Sequence, residues 1–151
     1  MQLVKQEIES VAAQTDEQDV YPQASIRALA KAGYSTIFMP PQYGGAGLDF
    51  RHALAVFEEV SYGSAAVGIS LITILQAQVI LKLFGSPSLK ALYLPKFAQG
   101  LISSYALTES NHGSDIRTLD TKAVRTPQGW LINGEKSFIT SGSAAEFFII
   151  L

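Results

Sequence analysis

Apolar residues recur at helical spacing through the first hundred positions of the chain. Leu3, Ile8 and Val11 can share one face, which predicts a helix over residues 2–14. Comparable apolar stripes, bounded by glycines, prolines and polar caps, predict further helices over residues 24–33, 49–63, 64–85, 86–94 and 95–100. The first hundred residues are therefore expected to form a helical bundle.

The expected helix starts rest on short polar residues and on prolines. Asp49, Ser64 and Ser86 each stand just before an apolar stripe, where such side chains accept the free N–H groups of a first turn. Asp16 and Asp19 are predicted to cap the helix that begins near Pro22.

After Gly100 the pattern changes to short alternating or continuous apolar runs. These runs predict four strands, over residues 102–108, 121–125, 130–134 with a continuation over 136–140, and 147–151, with a hairpin turn at 127–129. The sequence thus predicts an α+β chain: an N-terminal helical domain over residues 1–100 and the first strands of a β-domain over 101–151.

The final strand predicts that the sequence is the front part of a longer polypeptide. Residues 147–151 are strongly apolar, and no turn or partner strand follows them. Four short strands alone would expose an apolar edge that favours aggregation.

Composition excludes several classes of protein. The chain has 151 residues with no cysteine, which excludes disulfide frameworks, thiolate zinc sites and iron–sulfur clusters and fits a cytoplasmic protein. A formal charge of −2 gives no case for nucleic-acid binding. From Val60 up to Lys82 no charged residue intervenes, and this stretch approaches the length of a membrane span, but its embedded Ser, Thr and Gln residues favour a buried helix of a bundle.

The common catalytic patterns are missing from the sequence. His52 and His112 lie far apart with no metal-binding spacing, so no metal site is predicted. Ser110, His112 and Asp115 lie close together in one loop, and residues so near in sequence rarely adopt the geometry of a catalytic triad. The glycines of residues 43–47 follow a proline-rich loop, not a strand, and are read as a structural turn.

One segment is a candidate for binding chemistry. A strand delivers Tyr105, Leu107 and Thr108 to its end, and a polar loop then presents Gly113 and Ser114. Free N–H groups and short hydroxyls after a strand suit an extended anion such as a pyrophosphate. The same residues also suit a simple Asx or Ser turn, and from the residues alone the two interpretations are equal.

Four segments in order resemble the acyl-CoA dehydrogenase family. Leu107-Thr-Glu-Ser-Asn-His-Gly-Ser-Asp115 is similar to its Leu-Thr-Glu-Pro-x-x-Gly-Ser-Asp signature. The other matches are the Pro-x-x-Tyr-Gly-Gly-x-Gly-x-Asp loop at 40–49, the stretch 85–100 around Tyr-Leu-Pro-Lys, and the Gly-x-Lys-x-Trp-Ile-Thr stretch at 134–140. The implied fold is an N-terminal helical domain and the opening of a β-barrel-like middle domain, with the C-terminal helical domain absent.

The resemblance implies that FAD is the cofactor and assigns residues to it. The isoalloxazine contacts would be Tyr105, Leu107, Thr108, Phe138, Ile139 and Thr140, with Gly113 and Ser114 at the pyrophosphate. Ser114 would also contact the thioester substrate. The sequence departs from the family at Ser110, where proline is usual, and at Phe138, where tryptophan is common. From the residues alone, 138–140 are ordinary strand content.

The resemblance further implies α,β-dehydrogenation of an acyl-CoA: a glutamate removes the α-proton and a hydride passes to flavin N5. That glutamate belongs to the C-terminal domain, beyond residue 151, so no catalytic residue is assigned here and the 151 residues alone are expected to be inactive. The implied partners are an electron-transfer flavoprotein or oxygen and further copies of the chain in a homo-oligomer.

Three alternatives stay open. The substrate could be an acyl or aminoacyl thioester on a carrier protein, or the enzyme could be an oxidase. From another class, the chain could be a non-catalytic helical interaction module or a decayed gene product.

Overall fold

A computed structural model describes residues 2–151; Met1 lies outside the described residues. The helical part consists of α1 (Gln2–Val4), a π-helical stretch (Lys5–Glu9), α2 (Ser10–Glu17), α3 (Gln23–Lys31), α4 (Phe50–Gly63), α5 (Ala65–Phe84) and α6 (Pro87–Ala98), with 3₁₀ turns at Tyr34–Thr36 and Pro41–Tyr43. The strands are β1 (Ser103–Ala106), β2 (Lys122–Thr126), β3 (Gly129–Asn133) and β4 (Phe147–Ile150). The predicted order of helices and then strands is confirmed.

Local capping explains where three helices begin. Asp49, Ser64 and Ser86 each accept a backbone N–H two or three residues further on, as predicted. The prediction for Asp16 and Asp19 is wrong, because no side chain caps α3. Asp16 belongs to the last turn of α2, and Asp19 adopts a left-handed φ of 50° in the turn that follows.

The prediction that Pro95 starts a separate helix is also wrong. Pro95 lies inside α6, which runs without interruption from Pro87 to Ala98. Proline inside a helix removes one hydrogen bond and costs about 3 kcal/mol or more. The fully buried Leu94 and Phe97 lie on either side of Pro95 and offset that cost by packing into the core.

Helix α5 is the centre of the bundle, contacting α3, α4, α6 and strand β1. Within the described residues it is the one helix long and apolar enough to cross a membrane by length and composition, and 56% of its apolar window is buried in the protein. Some polar side chains inside this helix make hydrogen bonds: Gln78 Nε2 donates to the Ser35 carbonyl at 2.6 Å, and Ser70 donates to the Ala66 carbonyl at 2.8 Å. Gln78 Oε1 is buried without a partner among the described residues. That α5 does not cross a membrane stays a prediction.

The glycine-rich loop after residue 40 is a structural turn, as predicted. The turn Pro41–Tyr43 ends at Gly44, whose φ of 87° is left-handed. A side chain on Gly45 would collide with the main chain of Met39. The two glycines therefore serve the turn itself.

The strands form two separate pairs. β1 and β4 are parallel, with Ser103 opposite Phe147, and β1 packs on α5. β2 and β3 form an antiparallel hairpin with Val124 opposite Leu131. The chain thus has a helical domain followed by the first strands of a second domain, and the described residues close no barrel.

The segment 136–140 is not a strand, which corrects the prediction. Phe138 has a φ of 56° and Ser141 a φ of 64°, both left-handed and both unfavourable for side chains other than glycine. Such residues cannot extend a strand. The segment instead crosses the end of β1, where contacts from distant parts of the chain hold it in place.

Candidate functional site

Two segments that are distant in sequence meet at the end of β1. The N–H of Ser137 donates to the carbonyl of Thr108 at 2.9 Å. The Lys136 ammonium donates to the carbonyl of Leu107 at 3.0 Å. The structure therefore brings residues 107–108 against residues 136–140, two of the groups singled out from the sequence.

A buried ion pair holds this junction. Lys136 Nζ lies 2.8 Å from Glu109 Oε1, and the two side chains are 10% and 4% exposed. The Glu109 carboxylate also accepts the N–H groups of Asp120 at 2.6 Å and Thr121 at 2.9 Å. Lys136, together with the hydrogen bonds from Thr121 and Asp120, holds the pKa of the Glu109 carboxyl well below its usual range. Glu109 is thus an anchor for the junction that is charged at neutral pH.

Hydroxyl groups hold the other end of the 136–140 segment. Ser104 Oγ donates to the carbonyl of Thr140. Ser141 Oγ lies 3.2 Å from Tyr21 Oη and 3.4 Å from Thr73 Oγ1 of α5. The helical domain and β1 therefore fix the position of Thr140.

The side chains assigned to the site differ in exposure. The Phe138 ring is 95% exposed, although it sits on a left-handed backbone. Leu107, Thr108, Ile139 and Thr140 are partly exposed. Within residues 2–151, the Thr108 and Thr140 hydroxyls make no hydrogen bond, so both are available to a ligand.

Gly113 and Ser114 lie in the exposed loop after β1. Paired main-chain hydrogen bonds between Glu109 and His112, at 3.0 and 3.2 Å, close the start of this loop. A Cβ atom on Gly113 would meet no atom of the described chain within 4 Å, so the fold leaves room for a residue other than glycine here.

An apolar groove with a volume of about 820 Å³ opens beside Tyr105. Its walls come from α4, α5 and the loop before α4, and its lining residues include Phe57, Ile72, Val79 and Ile80. Among the described residues that line it, none carries a carboxylate. The groove can take a chain-like apolar ligand that ends near the junction.

Three side chains near the junction could be mistaken for a metal site. Glu109, His112 and Asp120 bring their ligand atoms within 4.8 Å of one another. The Lys136 ammonium already occupies Glu109 Oε1 and opposes a second cation there. His112 is engaged on both ring nitrogens, with Thr118 and with Asp120, and does not join a triad with Ser110.

Sequence reasoning missed the residues that hold the site together. From the sequence, no role in the site is predicted for Lys136, Ser104, Ser141 or Thr73, and no groove is predicted. A single lysine before an apolar run is a weak signal, because its partners lie 27 and 29 residues earlier in the chain.

Comparison with known proteins identifies the family of the chain. The chain matches the family described as acyl-CoA dehydrogenase, N-terminal domain, over residues 1–101, and its middle domain over 104–151. A protein of Bacillus subtilis (strain 168) named acyl-CoA dehydrogenase is 38% identical over 148 residues, which are 96% of this chain and 39% of that protein.

Two solved structures show the same fold. Butyryl-CoA dehydrogenase from Megasphaera elsdenii superposes with a TM-score of 0.91 at 26% identity, over 99% of this chain and 40% of that one. PigA, solved with FAD and proline, gives a TM-score of 0.90 at 30% identity, over 98% and 40%. The chain therefore spans about two fifths of these relatives. It belongs to the FAD-dependent acyl-CoA dehydrogenase family, of which it carries the N-terminal domain and the first strands of the middle domain.

Proposed function

We propose that the chain is the N-terminal part of an FAD-dependent dehydrogenase that introduces a double bond into an acyl thioester. The observation that carries the proposal is the junction between residues 107–108 and 136–140. Hydrogen bonds join these segments across nearly thirty residues and leave the Thr108 and Thr140 hydroxyls without a partner in the described chain. These two hydroxyl groups are held in place and are free to donate, which suits the polar edge of a flavin ring.

The exposed residues fit the proposed cofactor. The nearly bare Phe138 ring offers an apolar face, and an aromatic in a left-handed conformation is a strained feature that binding sites often retain. Gly113 leaves open space in which backbone N–H groups can approach a pyrophosphate. Ser114 adds an exposed hydroxyl beside it. We assign Tyr105, Leu107 and Ile139 to the same surface.

When bound, FAD accepts the hydride that leaves the β-carbon of the substrate. The chain's own residues position the reactants. Thr108 offers a hydroxyl where negative charge develops, and a fixed donor favours that charge. The groove beside Tyr105 takes the apolar part of the acyl group and keeps water from it, which orients the carbon atoms that react.

The base that removes the α-proton is proposed to lie outside these residues. Glu109 is unsuitable, because a general base needs a pKa near the working pH and the Lys136 ammonium holds the pKa of Glu109 far below that. Removing a general base costs about 10²–10⁴ in rate. The 151 residues alone are therefore expected to have negligible turnover.

The test uses the complete reading frame that contains these residues. The purified protein is expected to carry FAD, and its flavin absorbance should bleach without oxygen when an acyl-CoA is added. A protein that binds no FAD, or whose flavin is unaffected by every thioester tried, would contradict the proposal and favour a non-catalytic module.

A second candidate substrate is an aminoacyl thioester on a carrier protein. It is favoured by the likeness to PigA, which was solved with FAD and proline. Bleaching by a prolyl thioester on a carrier protein, but not by any acyl-CoA, would select this candidate. Hydrogen peroxide released in air during turnover would identify an oxidase.

A further inference from the structure

We propose that Lys136 is a positioning residue for the flavin site and that it acts through the Leu107–Thr108 peptide, with Glu109 as its counterion. The inference rests on the proposed FAD site and names the residue that sets its geometry. Lys136 lies in the 134–140 stretch that resembles the family, but the resemblance gives it no role.

The first step is the orientation of one peptide plane. The Lys136 ammonium lies 3.0 Å from the Leu107 carbonyl oxygen. Because a peptide bond is planar and trans, fixing this carbonyl also fixes the N–H of Thr108, which points to the opposite edge of the plane. Within residues 2–151 that N–H has no acceptor. Lys136 therefore aims a free main-chain donor away from itself and toward the side where a ligand can bind.

The second step is the distance between the two segments. Ser137 follows Lys136 directly and donates to the Thr108 carbonyl at 2.9 Å. The ammonium and this N–H together clamp both carbonyls of the Leu107–Thr108 pair onto the segment that carries Phe138 and Thr140. Moving Lys136 thus moves Thr108 relative to Thr140.

Glu109 keeps the ammonium in place. Its carboxylate is fixed by the N–H groups of Asp120 and Thr121 as well as by Lys136, so all three donors converge on a side chain that is 4% exposed. Buried ion pairs are weak sources of net stability, because desolvation offsets their attraction, and their best-attested use is to specify one arrangement. The Lys136–Glu109 pair is therefore better explained as fixing the position of residues 136–140 against residues 107–108 than as a source of net stability.

The test compares Lys136→Met, Lys136→Arg and a control, Lys122→Met, in the complete reading frame. Lys122 is an exposed lysine of β2. Without FAD, amide hydrogen exchange is followed at Ser137 and at Leu151, whose N–H bonds to Ala106 at 3.1 Å. With FAD, the dissociation constant and the reduction potential of the flavin are measured.

Lys136→Met is expected to speed exchange at Ser137 about tenfold or more while leaving Leu151 unchanged, and to weaken FAD binding about tenfold or more, since a hydrogen bond from a charged donor has that magnitude. The flavin potential should shift as well. Lys136→Arg should recover part of each loss, and Lys122→Met should resemble the wild type.

Two results would contradict the inference in different ways. If Lys136→Met lowers only the unfolding temperature and leaves Ser137 exchange, FAD affinity and flavin potential unchanged, Lys136 is merely structural and the proposed FAD site stands. If the wild-type protein binds no FAD, the proposed function fails and the inference fails with it.

Discussion

The helical and the strand regions of the chain are held together by different physics. All of the buried apolar core cluster except Ile102 lies in the first hundred residues. In the last fifty, the hairpin β2–β3 is almost entirely exposed, and the site is fixed by the Lys136–Glu109 pair and by the hydroxyls around Thr140. Hydrophobic burial is non-directional, whereas hydrogen bonds fix orientation. The helical region is thus the main source of stability, and the strand region holds hydrogen-bonding groups in fixed orientations.

The largest expected effect is a difference in unfolding free energy between truncating a core residue and truncating a surface residue of the helical region. Phe97 is fully buried and meets Phe147 edge-on with ring centroids 5.8 Å apart, whereas Phe84 is 81% exposed. Phe97→Ala is expected to lower the free energy of unfolding by about 3–5 kcal/mol through lost burial and a cavity. Phe84→Ala, measured by the same denaturant titration, should change it by less than about 0.5 kcal/mol. Equal losses would contradict the assigned core.

The second prediction concerns acid and the strand region. The pKa of Glu109 is lowered in the folded protein, so its stabilising contribution is present above the ordinary value of 4.5 and is lost as the pH falls below it. As the pH is lowered from 5, the denaturation midpoint of the wild type should fall more steeply than that of Glu109→Gln, which has no carboxylate at this position to protonate. Parallel curves for the two proteins would mean that the pair does not form.

A smaller effect is expected at the strained end of the site segment. Ser141→Ala removes a hydroxyl shared by Tyr21 and Thr73 and keeps the left-handed strain, and should cost about 1–2 kcal/mol. Ser141→Gly also loses the hydroxyl but relieves the strain, so its loss of unfolding free energy should be about 0.5–1 kcal/mol smaller. A glycine variant as unstable as the alanine variant would show that the φ of 64° is not a source of strain.

The smallest effect is expected on the hairpin. Trp130 is the largest side chain of β3 and is 67% exposed. In the 151-residue chain, Trp130→Ala should change the unfolding free energy by no more than about 0.5 kcal/mol. A loss of 2 kcal/mol or more would place Trp130 in a packed core and weaken the contrast between the two regions.

The sequence predicts the helical region well because its signals are local. Asp49, Ser64 and Ser86 act on N–H groups within three residues, so their caps are readable from the chain. The prediction of a helix start at Pro95 is wrong because burial of Leu94 and Phe97 offsets the cost of proline inside a helix, and that burial depends on tertiary packing. The same limit is stronger in the site. The left-handed turn at Phe138 depends on anchors at Lys136 and Ser141 whose partners lie 27 to 120 residues away.

The most direct test of the account is the amount of flavin bound per chain by Gly113→Val in the complete reading frame. The chain itself leaves open space around Gly113, so valine should not disturb the fold. A loss of flavin would then come from a clash between the valine side chain and bound FAD. We predict an unfolding midpoint of the flavin-free protein equal to that of the wild type, together with little or no flavin absorbance. A full complement of flavin in Gly113→Val would contradict the placement of FAD at this loop.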